Sequence, residues 1–158
     1  MSGPLQYALR DAHVERRSTW HHEALTAVRL REHLGASAPA RTIQITLFIP
    51  GADRDGRPID QERRLDEALR VFGELFRGAT AVSLGRSVVR DEARAGALVF
   101  DDTMLVTSYV APDALDAPTL RDLRRFLHRL GREGRQGEVG IVIDGSYFGI
   151  TEFDAADG

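Results

Sequence analysis

Several kinds of residue are missing from this chain, and each absence removes a class of chemistry. The 158 residues contain no cysteine, which excludes disulfides, thiolate metal sites and a cysteine nucleophile. They also contain no lysine, so all 21 basic residues are arginine and both a Schiff-base lysine and a phosphate-loop lysine are excluded. No apolar run approaches the roughly 18 residues that a membrane span requires.

The charge balance and the first residues favour a cytoplasmic protein. The net charge is −3, which disfavours wholesale binding to nucleic acid or to an anionic membrane. The start MSGPLQYALRD has neither the basic region nor the apolar core of a signal peptide. We therefore expect a cytoplasmic protein with no membrane partner.

The spacing of apolar residues changes near residue 41, which predicts two segments of the chain. Residues 19–34 have apolar positions at helical spacing, and Gly35 is a natural stop for that helix. The stretch ASAPAR then reads as a linker. We predict an N-terminal helical extension and linker over 1–41 and a main domain over 42–158.

The main domain alternates between strand and helix patterns. Apolar residues at period two predict a strand over 42–49, and a stripe with period near four predicts a helix that begins at 61 and ends at Gly78. Two strands follow over 80–89 and 97–110, then a helix over 116–131. The final segment predicts a strand, an Asp144-Gly145 turn and a short strand, because Asp-Gly between apolar runs is a strong hairpin signal.

This order predicts an α+β fold of the ferredoxin-like, or split βαβ, type. Two helices would cover one face of an antiparallel sheet, with the N-terminal helix and the C-terminal β-hairpin arm as additions. The second sheet face would be covered by the N-terminal helix or by another subunit, so we expect a homo-oligomer or a protein partner.

The loop GADRDGRPIDQE, at 51–62, has the composition of a metal loop. Asp53, Asp55, Gly56 and Glu62 match four positions of a calcium loop, but Gly51 stands where the first ligand belongs. The interpretation that we favour is a strand-to-helix connection that turns at Asp55-Gly56, with Asp60 as the helix cap.

A pair of acids interrupts the strand at 97–110. Asp101 and Asp102 lie between apolar runs, and Asp53 follows the first strand. Palm domains of polymerases and cyclases place carboxylates in this way on a split βαβ plan, where they hold two Mg²⁺ ions. The alternative reading is a polar kink in a long edge hairpin.

The helix at 116–131 carries a basic stripe that continues to residue 132. Arginine side chains match phosphate geometry, so this face predicts an anionic ligand. The alternative is a solvated face that pairs with acidic groups; nucleotide or nucleic acid as ligand is the less favoured reading because of the negative net charge. The predicted ligand-binding residues are Arg121, Arg125, Arg129 and Arg132.

A further set of positions, from Ile43 onward, combines hydrophobic residues and turns. Phe72, Phe76, Gly78 and Thr80 follow the pattern F-x-x-x-F-x-G-x-T, and Gln136 and Val139 open the last strand as Q-x-x-V. In this respect the chain resembles a group of small bacterial proteins of unknown function. The resemblance omits the N-terminal helix and carries over no catalytic residue.

Two functional hypotheses follow. The first is a non-enzymatic module without cofactor, which assembles through its sheet or N-terminal helix and recognises an anionic partner through the arginine stripe. The second is a Mg²⁺-dependent nucleotidyl-transfer or phosphodiester enzyme that uses Asp53, Asp101 and Asp102, with Asp55 as a further metal ligand.

Overall fold

A computed structural model of the protein describes residues 29–35, 41–91 and 95–155. The chain divides into two compact units, Met1–Ala40 and Arg41–Gly158. In the first unit residues 29–34 are helical, in agreement with the end of the predicted N-terminal helix. The start of that helix lies outside the described residues.

The second unit contains the strands and helices that the periodicity predicts. In chain order they are β1 Ile43–Ile49, α1 Gln61–Phe76, β2 Thr80–Asp91, β3 Ala97–Val110, a 3₁₀ turn Pro112–Ala114, α2 Ala117–Glu133, β4 Val139–Ile143 and β5 Ser146–Ile150. None of the helices in these described residues is long and apolar enough to cross a membrane.

The strands form one antiparallel sheet in the order β2-β3-β1-β4-β5. Each helix therefore joins two strands that have another strand between them, which is the connection of a split βαβ unit. The α+β class is confirmed. The hairpin between β4 and β5 turns at Asp144 and Gly145, whose φ angles of 49° and 78° are both positive, as a tight hairpin turn requires.

Capping side chains define where each helix starts, and both helices end at residues other than the predicted ones. Asp60 accepts a hydrogen bond from the Arg63 N–H, and Asp116 accepts one from the Thr119 N–H, so each caps the helix that follows it. The first helix ends one residue before Arg77, which adopts a left-handed φ of 67°, rather than at Gly78.

The predicted end of α2 at Gly131 is wrong, because the helix continues to Glu133. A glycine is tolerated inside this helix since the Phe153 ring packs directly over it. Gly131 therefore marks a packing contact and not a helix stop.

The core lies between the two helices and one face of the sheet. On β1 the fully buried side chains are Ile45, Leu47 and Ile49, which are the period-two positions of the sequence. Apolar residues from α1, α2, β3 and β4 close this layer, among them Phe72, Phe126, Leu127, Val106 and Ile141.

Candidate functional site

A cavity of about 350 Å³ opens where β1 ends beside the long hairpin of β2 and β3. We call it the acidic cleft. It is lined by Gly51, Ala52, Pro58, Ile59, Gln61, Arg86, Phe100, Asp101 and Asp102.

The backbone after β1 positions the two aspartates of the acidic cleft. The Gly51 N–H lies 3.2 and 3.1 Å from the two carboxylate oxygens of Asp101. The Gln61 side-chain amide donates to the carbonyl of Asp102 at 2.8 Å and to the carbonyl of Ile49 at 3.0 Å. Helix α1 thus begins with a side chain that joins β1 to β3, and both acids are held at the wall of the cleft.

A side chain at Gly51 would prevent this arrangement. A Cβ atom at that position would lie 2.9 Å from the Asp102 carbonyl oxygen and 3.1 Å from the Asp101 Oδ1. Contacts below 3.0 Å between a Cβ and backbone require the backbone to shift. The glycine is therefore needed for the close approach of the two strands.

One of the acids in the acidic cleft has no charged or hydrogen-bonding partner among the described side chains. Asp102 is exposed, and its carboxylate forms no hydrogen bond or ion pair with the described parts of the chain. Arg86 is its cross-strand neighbour in the β2–β3 register and lines the same cavity. Phe100 adds an aromatic ring that is 62% exposed. These groups suit a ligand that combines a positive charge, a planar ring and a carboxylate.

Asp53 and Asp55 do not join this constellation as the metal hypothesis requires. The Asp53 carboxylate accepts hydrogen bonds from the N–H groups of Asp55 and Arg57, at 2.8 and 3.0 Å. The bond from Arg57 is the main reason that the pKa of Asp53 is lowered. Asp55 forms an ion pair with Arg135 at 2.6 Å. Both acids therefore stabilise the loop, as the turn interpretation predicts.

The described residues contain no group of three or more His, Asp or Glu side chains that could hold a metal ion. The proposed Mg²⁺ site at Asp53, Asp55, Asp101 and Asp102 finds no support in this geometry. The calcium reading of the same loop finds no support among the described residues either.

The arginine stripe of α2 is divided among separate acidic partners. Arg125 pairs with Asp122 at 3.0 Å, and Arg129 pairs with Glu67 of α1 at 2.5 Å. Arg132 donates to the backbone carbonyl of Asp154. Only Arg121 among the four predicted residues forms no such bond within the described chain. The structure therefore does not present the four side chains as one open surface.

Sequence reasoning identified Asp101 and Asp102 but missed the rest of the acidic cleft. Gly51 was noted only as a residue that cannot supply the first ligand of a calcium loop, and Gln61, Arg86 and Phe100 carried no signal because each is ordinary for its helix or strand. The one available clue was a glycine two residues beyond the end of a buried strand, since a glycine next to a strand often marks close backbone approach.

Comparison with known proteins gives no family for this chain, because no protein-family model matches it and no curated protein does. Two solved structures align with it. A phage SAM lyase in complex with S-methyl-5′-thioadenosine aligns with a TM-score of 0.56 and 14% identity, over 74% of this chain and 95% of that one. A phage SAM lyase in the apo state gives a TM-score of 0.48 and 15% identity, over 73% and 97%.

The first of these likenesses shows a shared fold and corrects the functional hypotheses. The prediction of a non-enzymatic module is wrong by this comparison, since the solved fold belongs to an enzyme. The palm-type nucleotidyl-transfer alternative finds no support either. The resemblance to small bacterial proteins stays a prediction.

Proposed function

We propose that the protein is an enzyme that binds S-adenosylmethionine, or a close sulfonium relative, in the acidic cleft and cleaves a carbon–sulfur bond. One observation carries this proposal: Asp102, whose carboxylate has no hydrogen bond or ion pair with the described residues, lines a cavity of about 350 Å³ together with Asp101, Phe100 and Arg86. The fold shared with a lyase of the same substrate supports it.

The cleft and the substrate are complementary in charge. S-adenosylmethionine carries a sulfonium, an ammonium and a carboxylate, and so has one net positive charge. Asp101, Asp102 and Arg86 together carry one net negative charge. Opposite charges about 4 Å apart attract by about 1 kcal/mol in water and about 4 kcal/mol near a protein surface. Phe100 can stack on the adenine or contact the sulfonium through its ring face.

The reaction class follows from the chemistry of the sulfonium. When S-methyl-5′-thioadenosine is released, the bond between sulfur and the four-carbon amino acid breaks, and sulfur keeps the electron pair. A lyase adds no water, so the amino acid leaves in one of two ways. Either its carboxylate attacks the carbon that sulfur leaves, or a neighbouring carbon loses a proton and a double bond forms.

The two aspartates assist binding more than bond breaking. The sulfonium loses its positive charge as the bond breaks, so a nearby carboxylate stabilises the bound substrate more than the transition state. Their contribution is to capture a cation and to release a neutral thioether. Arg86 can pair with the substrate carboxylate and so orient the four-carbon chain.

An assay of thioether production tests the proposal. Wild-type protein incubated with S-adenosylmethionine should release S-methyl-5′-thioadenosine, measured by chromatography. Asp102→Asn should raise KM by about tenfold, which corresponds to about 1.4 kcal/mol, with a smaller change in kcat.

The matched control is Asp113→Asn, which removes an acid from a different cavity of about 500 Å³ beside Arg77 and Tyr109. This variant should keep the wild-type KM. No thioether from the wild type, or equal effects of the two substitutions, would contradict the assignment.

Three earlier expectations stay predictions here. We expect cleavage to survive dialysis against a chelator, because the described residues bring no three His, Asp or Glu side chains together. We also expect a cytoplasmic location. We further expect a homo-oligomer, and sedimentation as a strict monomer at tens of micromolar would contradict that expectation.

A further inference from the structure

Helix α2 carries a second charged cavity, of about 160 Å³, which we call the arginine cleft. The residues that line it are four arginines, one histidine, one aspartate and one alanine: Arg121, Arg124, Arg125, Arg132, His128, Asp154 and Ala155.

Asp154 occupies the edge of the arginine cleft as a carboxylate ligand would. Arg124 donates two hydrogen bonds to its carboxylate oxygens, at 2.9 and 2.8 Å. Arg132 donates to the backbone carbonyl of Asp154, and the backbone N–H of Asp154 donates to the Nδ1 of His128 at 2.8 Å. The hydrogen bond from Arg124 is the main reason that the pKa of Asp154 is lowered. This is the fork geometry by which arginine recognises oxyanions.

The arginine cleft is built from a buried base as well as from surface arginines. The His128 side chain is 6% exposed, and its ring lies edge-on to that of Phe153. Phe153 packs over Gly131, where a Cβ would come within 2.1 Å of the ring. The fold therefore holds the segment that delivers Asp154 in a defined place.

One carboxylate does not balance the charge of the arginine cleft. Asp154 neutralises one of the four lining arginines, and Asp122 pairs with Arg125 from outside the cavity. Arg121 lines the same cavity, and Arg132 bonds to the backbone carbonyl of Asp154 rather than to its carboxylate. The Asp154 side chain is 55% exposed, so it can leave at low cost. A group with a double negative charge and three acceptor oxygens suits this cavity better than a carboxylate does.

We propose that the arginine cleft binds a small tetrahedral oxyanion, of the phosphate class, and that Asp154 is its intramolecular competitor. This inference does not rest on the proposed lyase activity, because the arginine cleft and the acidic cleft share no residue. The arginine cleft also differs from the predicted arginine stripe. A polyanion would need the arginines of that stripe in one open row, whereas a cavity of about 160 Å³ suits a small ligand.

Competition with a tethered group gives a clear expectation. A carboxylate attached to the same chain and held beside the site acts at an effective concentration of the order of millimolar or more. Its removal in Asp154→Asn should therefore tighten phosphate binding by about tenfold. Removal of the fork in Arg124→Gln should abolish binding, even though Asp154 is then released.

Calorimetric titration of the full chain with inorganic phosphate, at an ionic strength held constant with sodium chloride, tests the proposal. The expected order of affinity is Asp154→Asn above wild type, with no heat from Arg124→Gln. The control Arg70→Gln removes an exposed arginine of α1, paired with Glu74 at 3.7 Å, and should match the wild type. Circular dichroism of each variant shows that it is folded.

Two results would overturn the inference. The first is an unchanged or weaker affinity in Asp154→Asn, and the second is equal binding by Arg124→Gln and Arg70→Gln, which would mean an ionic-strength effect alone. A parallel titration with glycerol phosphate distinguishes two possible ligands, a phosphoryl group at the end of a larger molecule and the free phosphate ion. Affinity equal to that of inorganic phosphate identifies a terminal phosphoryl group, and affinity at least tenfold lower identifies the free ion.

Discussion

Gly131 shows how the lack of one side chain decides where the C-terminal segment packs. It lies inside α2, where glycine is usually unfavourable by about 0.5–1 kcal/mol relative to alanine. The Phe153 ring occupies the space that a Cβ would take, within 2.1–2.5 Å. The helix therefore loses intrinsic stability at this position and gains an aromatic contact.

We expect Gly131→Ala to destabilise the protein by about 1–3 kcal/mol, because overpacking displaces Phe153. Gly73→Ala is the matched control, since Gly73 lies in α1 and has no neighbouring atom within 4 Å of its Cβ position. This second change should stabilise the protein by about 0.5–1 kcal/mol. Urea unfolding measures both, and a stabilised Gly131→Ala variant would contradict the packing described.

Tyr147 holds its proton more tightly than an ordinary tyrosine. Its hydroxyl donates to the Glu138 carboxylate and lies close over Gly140. Burial first, and then the bond to Glu138, raise the pKa of Tyr147 from 10.0 to about 12. Because the folded state binds this proton more strongly than the unfolded state, the associated stability is complete below pH 10 and is lost as the pH rises to about 12.

An absorbance titration of tyrosinate should show one ionisation near pH 12, above the ordinary range. Tyr147→Phe should remove that step, and Glu138→Gln should lower its midpoint because the negative charge is lost and a neutral amide oxygen is a weaker acceptor. A wild-type titration with every tyrosine near pH 10 would contradict the hydrogen bond to Glu138.

The two helices are joined by an arginine that lies almost inside the core. Arg64 of α1 is 9% exposed and pairs with Glu133 at the end of α2, at 2.7 Å. It also lies 3.4 Å from Glu67, which itself pairs with Arg129. The hydrogen bond from Arg64 is the main reason that the pKa of Glu133 is lowered.

We expect Arg64→Met to cost about 1–3 kcal/mol at neutral pH, the range for a lost hydrogen bond to a charged group that leaves its partner unpaired. Glu133 has its pKa lowered from 4.5 in the folded state, so its stabilising contribution is present above that pH and lost as the pH falls below it. The difference between wild type and variant should therefore shrink in acid.

Arg70→Met is the control, because the Arg70–Glu74 pair is exposed on both sides. Exposed pairs contribute about 0–1 kcal/mol, so this variant should stay close to the wild type at every pH. Equal losses in the two variants would mean that the Arg64–Glu133 pair does not hold the helices together.

The apolar core of the described residues lies in the second compact unit. Every buried or half-buried apolar residue of the core cluster lies between Ile43 and Phe153. The boundary falls between Ala40 and Arg41, next to the linker that the sequence predicts.

A fragment that spans 41–158 should fold by itself. Its far-ultraviolet circular dichroism should show the helices and the sheet, and its thermal midpoint should lie within about 4 °C of that of the full chain, the shift that about 1 kcal/mol produces in a domain of this size. A fragment without a cooperative transition would show that residues 1–40 belong to the same folding unit.

Much of the secondary structure was determined by the sequence alone, because its signals are local. The alternation of Ile43, Ile45, Leu47 and Ile49, the caps at Asp60 and Asp116, and the Asp144-Gly145 turn each involve neighbours within a few residues. Such signals survive in any tertiary context that buries the apolar face. The acid pair at Asp101 and Asp102 was also visible as a break in a hydrophobic strand.

Only the tertiary structure decided what these charged residues do. The Gly51 N–H reaches Asp101 across 50 residues, and Arg124 reaches Asp154 across 30, and no local pattern specifies either contact. A helical projection places arginines on one arc but cannot show that the C-terminal segment returns to that arc. Whether a charge is paired, buried or open depends on what the folded chain brings beside it, and that is set by packing over long sequence separations.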